Sequence, residues 1–254
     1  MIHIIITGHS KGLGAGITLE MLHENHHIHG VSRTDNIDIQ KLAAAKGCAM
    51  DFYPCDLSHT DEITPVMQQI FLRIKESKEE VEGIYLINNA GIIHPIGTIA
   101  SIDPAEIDQH IRINLLAPMI IIREFISLSA GYNTEKRILN ISSGAAQNPY
   151  HGWSNYSTGK AGLDMFTRCV ALEQEDEAFP VKLMAVAPGI IDTDMQTTIR
   201  SVPDGQFVHK DFFVELKETG KLVPPSVAGK HLKDLLFSSG FKNGTITDIR
   251  DQYE

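Results

Sequence analysis

Apolar residues fall in short, nearly unbroken blocks along the chain, at 2–6, 28–32, 49–53, 84–88, 137–142, 181–187 and 245–249. Most of the intervals between them carry apolar residues at helical spacing. A block without polar alternation is a strand buried on both faces, and a parallel strand pair needs a crossover of about a dozen residues. The alternation therefore predicts β-α-β units and an α/β fold: a doubly wound, mainly parallel seven-stranded sheet in one domain, 1–254. No internal repeat or low-complexity linker interrupts it. The segment 192–225 is long and irregular in pattern, and such an insertion near strand ends is expected to build a lid or substrate wall.

The first block runs directly into TGHSKGLGAG, in which Gly8, Gly12 and Gly14 take the spacing G-x-x-x-G-x-G, and the helix-like ITLEMLHE follows. Glycines permit a tight turn and close backbone approach, and the N-terminus of the next helix offers free N–H groups to a pyrophosphate. Strand, loop and helix stand in the order that a dinucleotide site of the Rossmann type requires. Ser10, Lys11 and Leu13 lie between the glycines and belong to the same candidate site. The cofactor ribose is read at the end of the second strand, where an acid selects a 2′-hydroxyl and a base accommodates a 2′-phosphate. HHIHGV ends in Ser32 and Arg33, and Lys11 adds a second cation, so NADPH is the expected cofactor. Asp35, two residues further on, is the rival hydroxyl acceptor.

Charge and cysteine content narrow the classes. Against 22 Lys plus Arg stand 32 Asp plus Glu, for a net charge of -10, and no basic run offers a phosphate-backbone footprint, so nucleic acid is not an expected partner. Cys48, Cys55 and Cys169 are scattered and odd in number, which suits a reducing compartment and points to the cytoplasm. MIHIIITGHS lacks a basic n-region and a small-residue cleavage site, and no stretch approaches the ~18 apolar residues of a membrane span.

In SNYSTGKAG, Tyr156 and Lys160 are four residues apart on a predicted helix and so share a face. A phenol is a poor acid or base at neutral pH, but a nearby ammonium favours the phenolate. The pair reads either as a tuned proton donor or as two surface residues.

With TGHSKGLG at 7–14, Asp56 in PCDLS, NNAG at 88–91, Asn114 in RINLLAP, Ser143 in NISSGA, YSTGK from Tyr156 and APGIIDTDM at 187–195, the sequence closely resembles the short-chain dehydrogenase/reductase family over essentially its whole length. The resemblance implies that Ser143 binds the substrate carbonyl and that Tyr156 delivers the proton. It implies that Lys160 lowers the Tyr156 pKa and binds the nicotinamide ribose, while Asn114 holds a water that resupplies the proton. Gly159 would permit a close approach. Asn89 and Gly91 would lie at the adenine ribose, Asp56 at the adenine amino group, and Pro188, Ile191 and Thr193 at the nicotinamide. Trp153 and Tyr150 would line an aromatic pocket. A homodimer through the helices carrying Asn114 and Tyr156 is the family habit.

Within the family, NISSGAAQNPYHGWSNYSTGKAGLDMF, APGIIDTDMQ and the tail ETGKLVPPSVAGKHLKDLL…FKNGTITD resemble the sepiapterin and benzil reductases. This implies NADPH-dependent reduction of a ketone in an apolar, often vicinal dicarbonyl substrate, with Asp248 as the acid that anchors a pterin ring. A 3-oxoacyl thioester reductase and a non-catalytic dinucleotide sensor are the alternatives.

HENHH at 23–27 fits the H-E-x-x-H zinc pattern, and His29 follows. That pattern needs both histidines on one continuous helix, whereas here a strand must begin near His27, so no metal is expected.

Overall fold

The computed structural model describes residues 1–203 and 205–252. Its strands are β1 (Ile2–Thr7), β2 (His26–Ser32), β3 (Ala49–Pro54), β4 (Gly83–Asn88), β5 (Glu135–Ile141), β6 (Val181–Ala187) and β7 (Thr245–Asp248). Among the described residues they form one sheet in the order β3-β2-β1-β4-β5-β6-β7, every pair parallel. The chain order reverses between β1 and β4, which opens a crevice beyond the strand C-termini where doubly wound proteins bind ligands.

The helices are α1 (Gly12–Met21), α2 (Ile37–Ala45), α3 (Ile63–Lys75), α4 (Pro104–Ile111), α5 (Ala117–Ser129), α6 (Ser154–Glu173), α7 (Asp194–Arg200), α8 (Lys210–Glu218) and α9 (Pro225–Phe237). A π-helical turn, Arg112–Leu116, joins α4 to α5. Two cores flank the sheet. Ile4 and Ile6 pack with Ile17 and Met21 of α1 and Leu232 of α9 on one face. Ile5 packs with Met67 and Ile70 of α3 and Ile122 and Phe125 of α5 on the other. Burial of each such side chain stabilises the fold by roughly 1.5–3 kcal/mol, so the unbroken Ile4-Ile5-Ile6 run fastens both helix layers to one strand.

The α1 and α9 backbones meet at glycines. A Cβ on Gly16 would lie 2.2 Å from Pro225 O, and one on Gly229 would lie 2.5 Å from Gly16 O. This crossing sets the height of α1 and, with it, the position of the loop that precedes it.

The observed elements depart from the expected ones at their ends. β2 begins at His26 rather than 28, because His26 and His27, polar in pattern, are both buried and hydrogen-bonded: His26 Nδ1 to Met21 O at 2.7 Å, His27 Nε2 to Asp51 Oδ2 at 2.8 Å. β1 runs on to Thr7, whose Oγ1 accepts the backbone N–H groups of Asn89 and Ala90. β5 covers Glu135–Ile141 and β7 ends at Asp248. The described part of the segment 192–225 contains α7 and α8 and returns through an isolated parallel bridge between Ile191 and Val223. In HENHH, α1 has already ended at Met21, His23 is exposed in the turn and His27 lies in β2, so the two histidines share no helix. Cys48 and Cys55 are buried, Cys169 is exposed, and all are free thiols. Among the described residues, no helix is long and apolar enough to cross a membrane.

Candidate active site

The glycine-rich loop leaves β1 with Gly8 at φ 67° and Gly12 at φ 55°, both in the left-handed region. A Cβ on Gly14 would lie 1.9 Å from Gly8 O, so only glycine lets α1 start this close to the loop. Asn89 holds the loop in place, its Nδ2 donating to Thr7 O at 3.0 Å and Gly8 O at 3.3 Å. The amide expected at the adenine ribose is thus committed to the loop backbone. Lys11 is the exposed N-cap of α1 and makes no side-chain cap, which leaves the first-turn amides without a side-chain acceptor. Ser10 is buried, and its carbonyl accepts from Asn36 Nδ2 at 2.7 Å. Leu13 packs against the core beneath. Opposite, Thr193 lies against Gly12, where an added Cβ would be 3.3 Å from Thr193 Cγ2. This brings the segment with Pro188, buried Ile191 and Thr193 up to the loop across the crevice. The cradle is shaped by glycines whose side chains would fill it, and it fits a dinucleotide.

At the end of β2, Arg33 is exposed and Asp35 is engaged by Asn36 N at 2.7 Å and Gln40 Nε2 at 3.4 Å. Asp56 caps its own turn, accepting from Ser58 N at 3.0 Å and Ser58 Oγ at 2.8 Å; these bonds, with a smaller effect of the Arg33 charge, hold its carboxyl below the usual range. His9, unremarked in the sequence, is fully buried with its ring on Gly30, where a Cβ would come within 2.7 Å. Its Nδ1 meets Ser32 Oγ at 3.1 Å and its Nε2 faces Asp35 at 3.5 Å, which ties the loop to the end of β2.

Ser143, Tyr156 and Lys160 converge beyond β5. Ser143 Oγ accepts from Ala145 N at 3.2 Å, and the Ser143 side chain faces the Tyr156 phenol, which it favours in its charged form. Lys160 is buried, donates to Ile141 O at 2.8 Å, and has Nζ 5.9 Å from the Tyr156 ring centre. Burial lowers the Lys160 ammonium pKa to about 8 against the opposing charge of Asp164. For Tyr156 the net direction is upward: burial outweighs the effect of Ser143.

Asn114 sits on the π-turn, which rotates its amide inward. It accepts from Ile92 N at 2.8 Å, donates to Ile92 O at 2.7 Å and approaches His110 Nε2 at 2.7 Å. His110 Nδ1 meets His94 O at 2.5 Å, and burial lowers the imidazole pKa. The neutral ring with Nδ1–H donating to His94 and Nε2 accepting from Asn114 satisfies both contacts. Gly159 lets α6 approach this turn, since a Cβ there would lie 3.3 Å from Asn114 Cβ. Gly91 stands between the two polar groups, with an added Cβ 3.0 Å from Asn114 Oδ1 and 3.6 Å from Lys160 Nζ.

Trp153 is buried beside Tyr156, ring centres 5.7 Å apart. It stacks on Phe207 at 4.9 Å, lies 5.5 Å from Phe213 and 5.1 Å from Tyr150. The segment 192–225 thus supplies half of an aromatic wall. Asp248 ends β7 half-buried, and its carboxylate is taken by Arg250 through Nε at 2.8 Å, Nη2 at 2.6 Å and the backbone N at 2.9 Å. The oxygens that a pterin edge would use already carry a guanidinium, because Arg250 follows two residues later and folds back in a short 3-10 turn.

His110, Asp164, Phe207 and Phe213 belong to this region and have no place in the sequence reading. His110 and Asp164 are each four residues from a candidate residue, Asn114 and Lys160, and that helical spacing is a usable signal. Phe207 and Phe213 carry none, since only the path of the segment brings them to Trp153.

The family profile described as short chain dehydrogenase matches residues 2–204. The benzil reductase ((S)-benzoin forming) of Bacillus cereus is 39% identical over 249 residues, covering 98% of this chain and 99% of that one. The enzyme of the same name from Bacillus subtilis (strain 168) is 40% identical over 248 residues, covering 97% and 98%. A short chain dehydrogenase/reductase structure from Saccharomyces cerevisiae superposes with a TM-score of 0.83 at 25% identity, covering 100% of this chain and 98% of that one. The family profile over most of the chain and the relatives that match its whole length establish that the chain is an oxidoreductase of the short-chain dehydrogenase/reductase family, acting between carbonyl and alcohol.

Proposed function

We propose that the protein is an NADPH-dependent reductase of apolar, aryl-substituted vicinal dicarbonyls. The observation that carries this reading is the aromatic wall of Trp153, Phe207 and Phe213 set beside Tyr156. The buried indole N–H of Trp153 has no hydrogen-bond partner within the protein. Asp248, neutralised by Arg250, favours an aryl diketone over a pterin. The 39% and 40% identities to benzil reductases support the same choice. For the cofactor, Lys11 and Arg33 are exposed cations at the ribose end, while the rival Asp35 is occupied by Asn36 and Gln40.

A reduced nicotinamide, when bound, supplies the hydride. The chain's own groups do the rest. Ser143 donates to the carbonyl oxygen as negative charge grows on it, and the Tyr156 phenol, kept protonated by burial, transfers its proton to that oxygen. The Lys160 ammonium stabilises the phenolate left behind. Asn114, locked by Ile92 and His110, and Gly91, which leaves space beside Lys160 Nζ, leave room for a water that returns the proton.

Absorbance of NADPH at its reduced-nicotinamide band tests the reading with three substrates. Benzil is expected to be turned over at least ~10-fold more efficiently (kcat/KM) than sepiapterin or an acetoacetyl thioester, a difference of about 1.4 kcal/mol in transition-state binding. A thioester preferred to benzil would overturn it.

A pH profile isolates Lys160. Its ammonium is present below about 8 and is lost as pH rises through that value, whereas the raised Tyr156 pKa keeps the phenol protonated there. Benzil kcat/KM should therefore be level at lower pH and fall about tenfold per unit well above 8. Lys160→Arg, which stays charged, should lose that limb even if the plateau drops. A wild-type profile level to pH 10 would remove Lys160 from the mechanism.

A further inference from the structure

Three histidines that the reductase chemistry does not use lie together on the opposite end of the sheet. His3 on β1 is paired in register with His27 on β2, and His29 follows two residues later on the same face. All three are buried, and one ring nitrogen from each lies within 4.8 Å of those of the other two. His3 Nδ1 and His29 Nε2 are 3.1 Å apart, and the His27 and His29 rings stack at 4.3 Å.

The hydrogen bonds do not close. Tyr53 OH meets His29 Nδ1 at 3.3 Å, so the chain of contacts runs Tyr53–His29–His3. If Tyr53 donates, His29 gives its Nε2–H to His3 Nδ1 and leaves His3 Nε2–H with no acceptor. If Tyr53 accepts, His3 gives its Nδ1–H to His29 and leaves the His3 Nε2 lone pair with no donor. In either tautomer this fully buried ring keeps an unpartnered nitrogen. Three converging imidazoles, with His3 Nδ1 and His29 Nε2 as the facing atoms, are the donor set of a borderline divalent metal.

We propose that His3, His27 and His29 bind a divalent transition metal of the zinc type. Zinc–nitrogen bonds of about 2.0–2.1 Å put tetrahedral ligand atoms about 3.3 Å apart. The His3 Nδ1–His29 Nε2 pair, 3.1 Å apart, already has about that spacing, and one ring nitrogen of each histidine lies within 4.8 Å of the other two. The supporting groups are in place: Asp51 Oδ2 accepts from His27 Nε2 at 2.8 Å and from Arg73 Nε at 3.0 Å, and Tyr53 steadies His29. Carboxylate and hydroxyl partners of this kind fix ring orientation at metal sites. Asp51 and Tyr53 are half-buried and line an open depression with Arg73 beside the cluster. The cluster joins the N-terminal ends of β1 and β2, away from the crevice, so the metal clamps the sheet and takes no part in hydride or proton transfer.

The test uses the full chain, stripped with a chelator and titrated with Zn2+ against a chromophoric competitor, and with Co2+ as a spectroscopic probe. One tight equivalent per chain, four-coordinate Co2+ bands and a Tm raised by about 2 °C or more are expected. His29→Gln should lose the equivalent, Asp51→Asn should weaken it about 10- to 100-fold, and exposed His59→Gln should leave it unchanged. No tight equivalent in the parent protein overturns the proposal without recourse to any variant. So does an equivalent that survives in folded His29→Gln, with folding judged by circular dichroism.

Discussion

Tyr156→Phe is expected to lower kcat for benzil reduction by about 10²- to 10⁴-fold and to leave dinucleotide affinity within about twofold. The variant deletes one oxygen from a buried ring whose other contacts are apolar and aromatic, to Trp153 at 5.7 Å and to the edge of His110 at 6.2 Å. The ring therefore stays where it is. The loss is confined to the transition state, in which the alkoxide formed by reduction has lost its proton donor. Ser143 retains its bond from Ala145 N and can still polarise the carbonyl, which sets the upper bound on the damage. Rapid mixing with NADPH and benzil measures the chemical step directly, and a single-turnover rate near that of the parent would remove Tyr156 as the proton donor.

Arg33→Ala combined with Lys11→Ala is expected to reduce the preference for NADPH over NADH by about 10²- to 10⁴-fold. Each charge-assisted hydrogen bond to a phosphate is worth roughly 1.5–3 kcal/mol, and every 1.4 kcal/mol is a factor of ten. Both side chains are exposed, and Lys11 caps α1 through its backbone alone, so their removal leaves loop and helix intact. NADH, which has no 2′-phosphate, should be nearly indifferent. Binding constants for both cofactors on the double variant decide it: equal weakening for the two would mean that these cations serve the pyrophosphate or the fold. If His9 and Asp35 set ribose recognition instead, the preference will hardly move.

Much of the fold was legible because β1, β4 and β6 are buried on both faces, and such strands must be written as unbroken apolar runs. β2 was only half legible, since its histidines are polar in any pattern and become interior only through Asp51, Met21 O and one another. The glycine spacing was legible for a like reason: at Gly14 the backbone tolerates no Cβ, and that intolerance is local to the chain. The same holds for Tyr156 and Lys160, which one helical turn places together.

By itself the sequence determined which segments become strands, where the glycine-rich turn between β1 and α1 lies and which residues of α6 share a face, because these follow from short-range backbone geometry and periodicity. Only the tertiary structure decided that Arg250 takes the Asp248 carboxylate, that Asn89 is bound to the loop rather than free, and that burial pushes the Tyr156 phenol up. It alone brought Phe207 and Phe213 to Trp153 and gathered His3, His27 and His29 into one cluster. Charge neutralisation, desolvation and coordination depend on distances between atoms far apart in the chain, and those distances exist only once the sheet and its helices have packed.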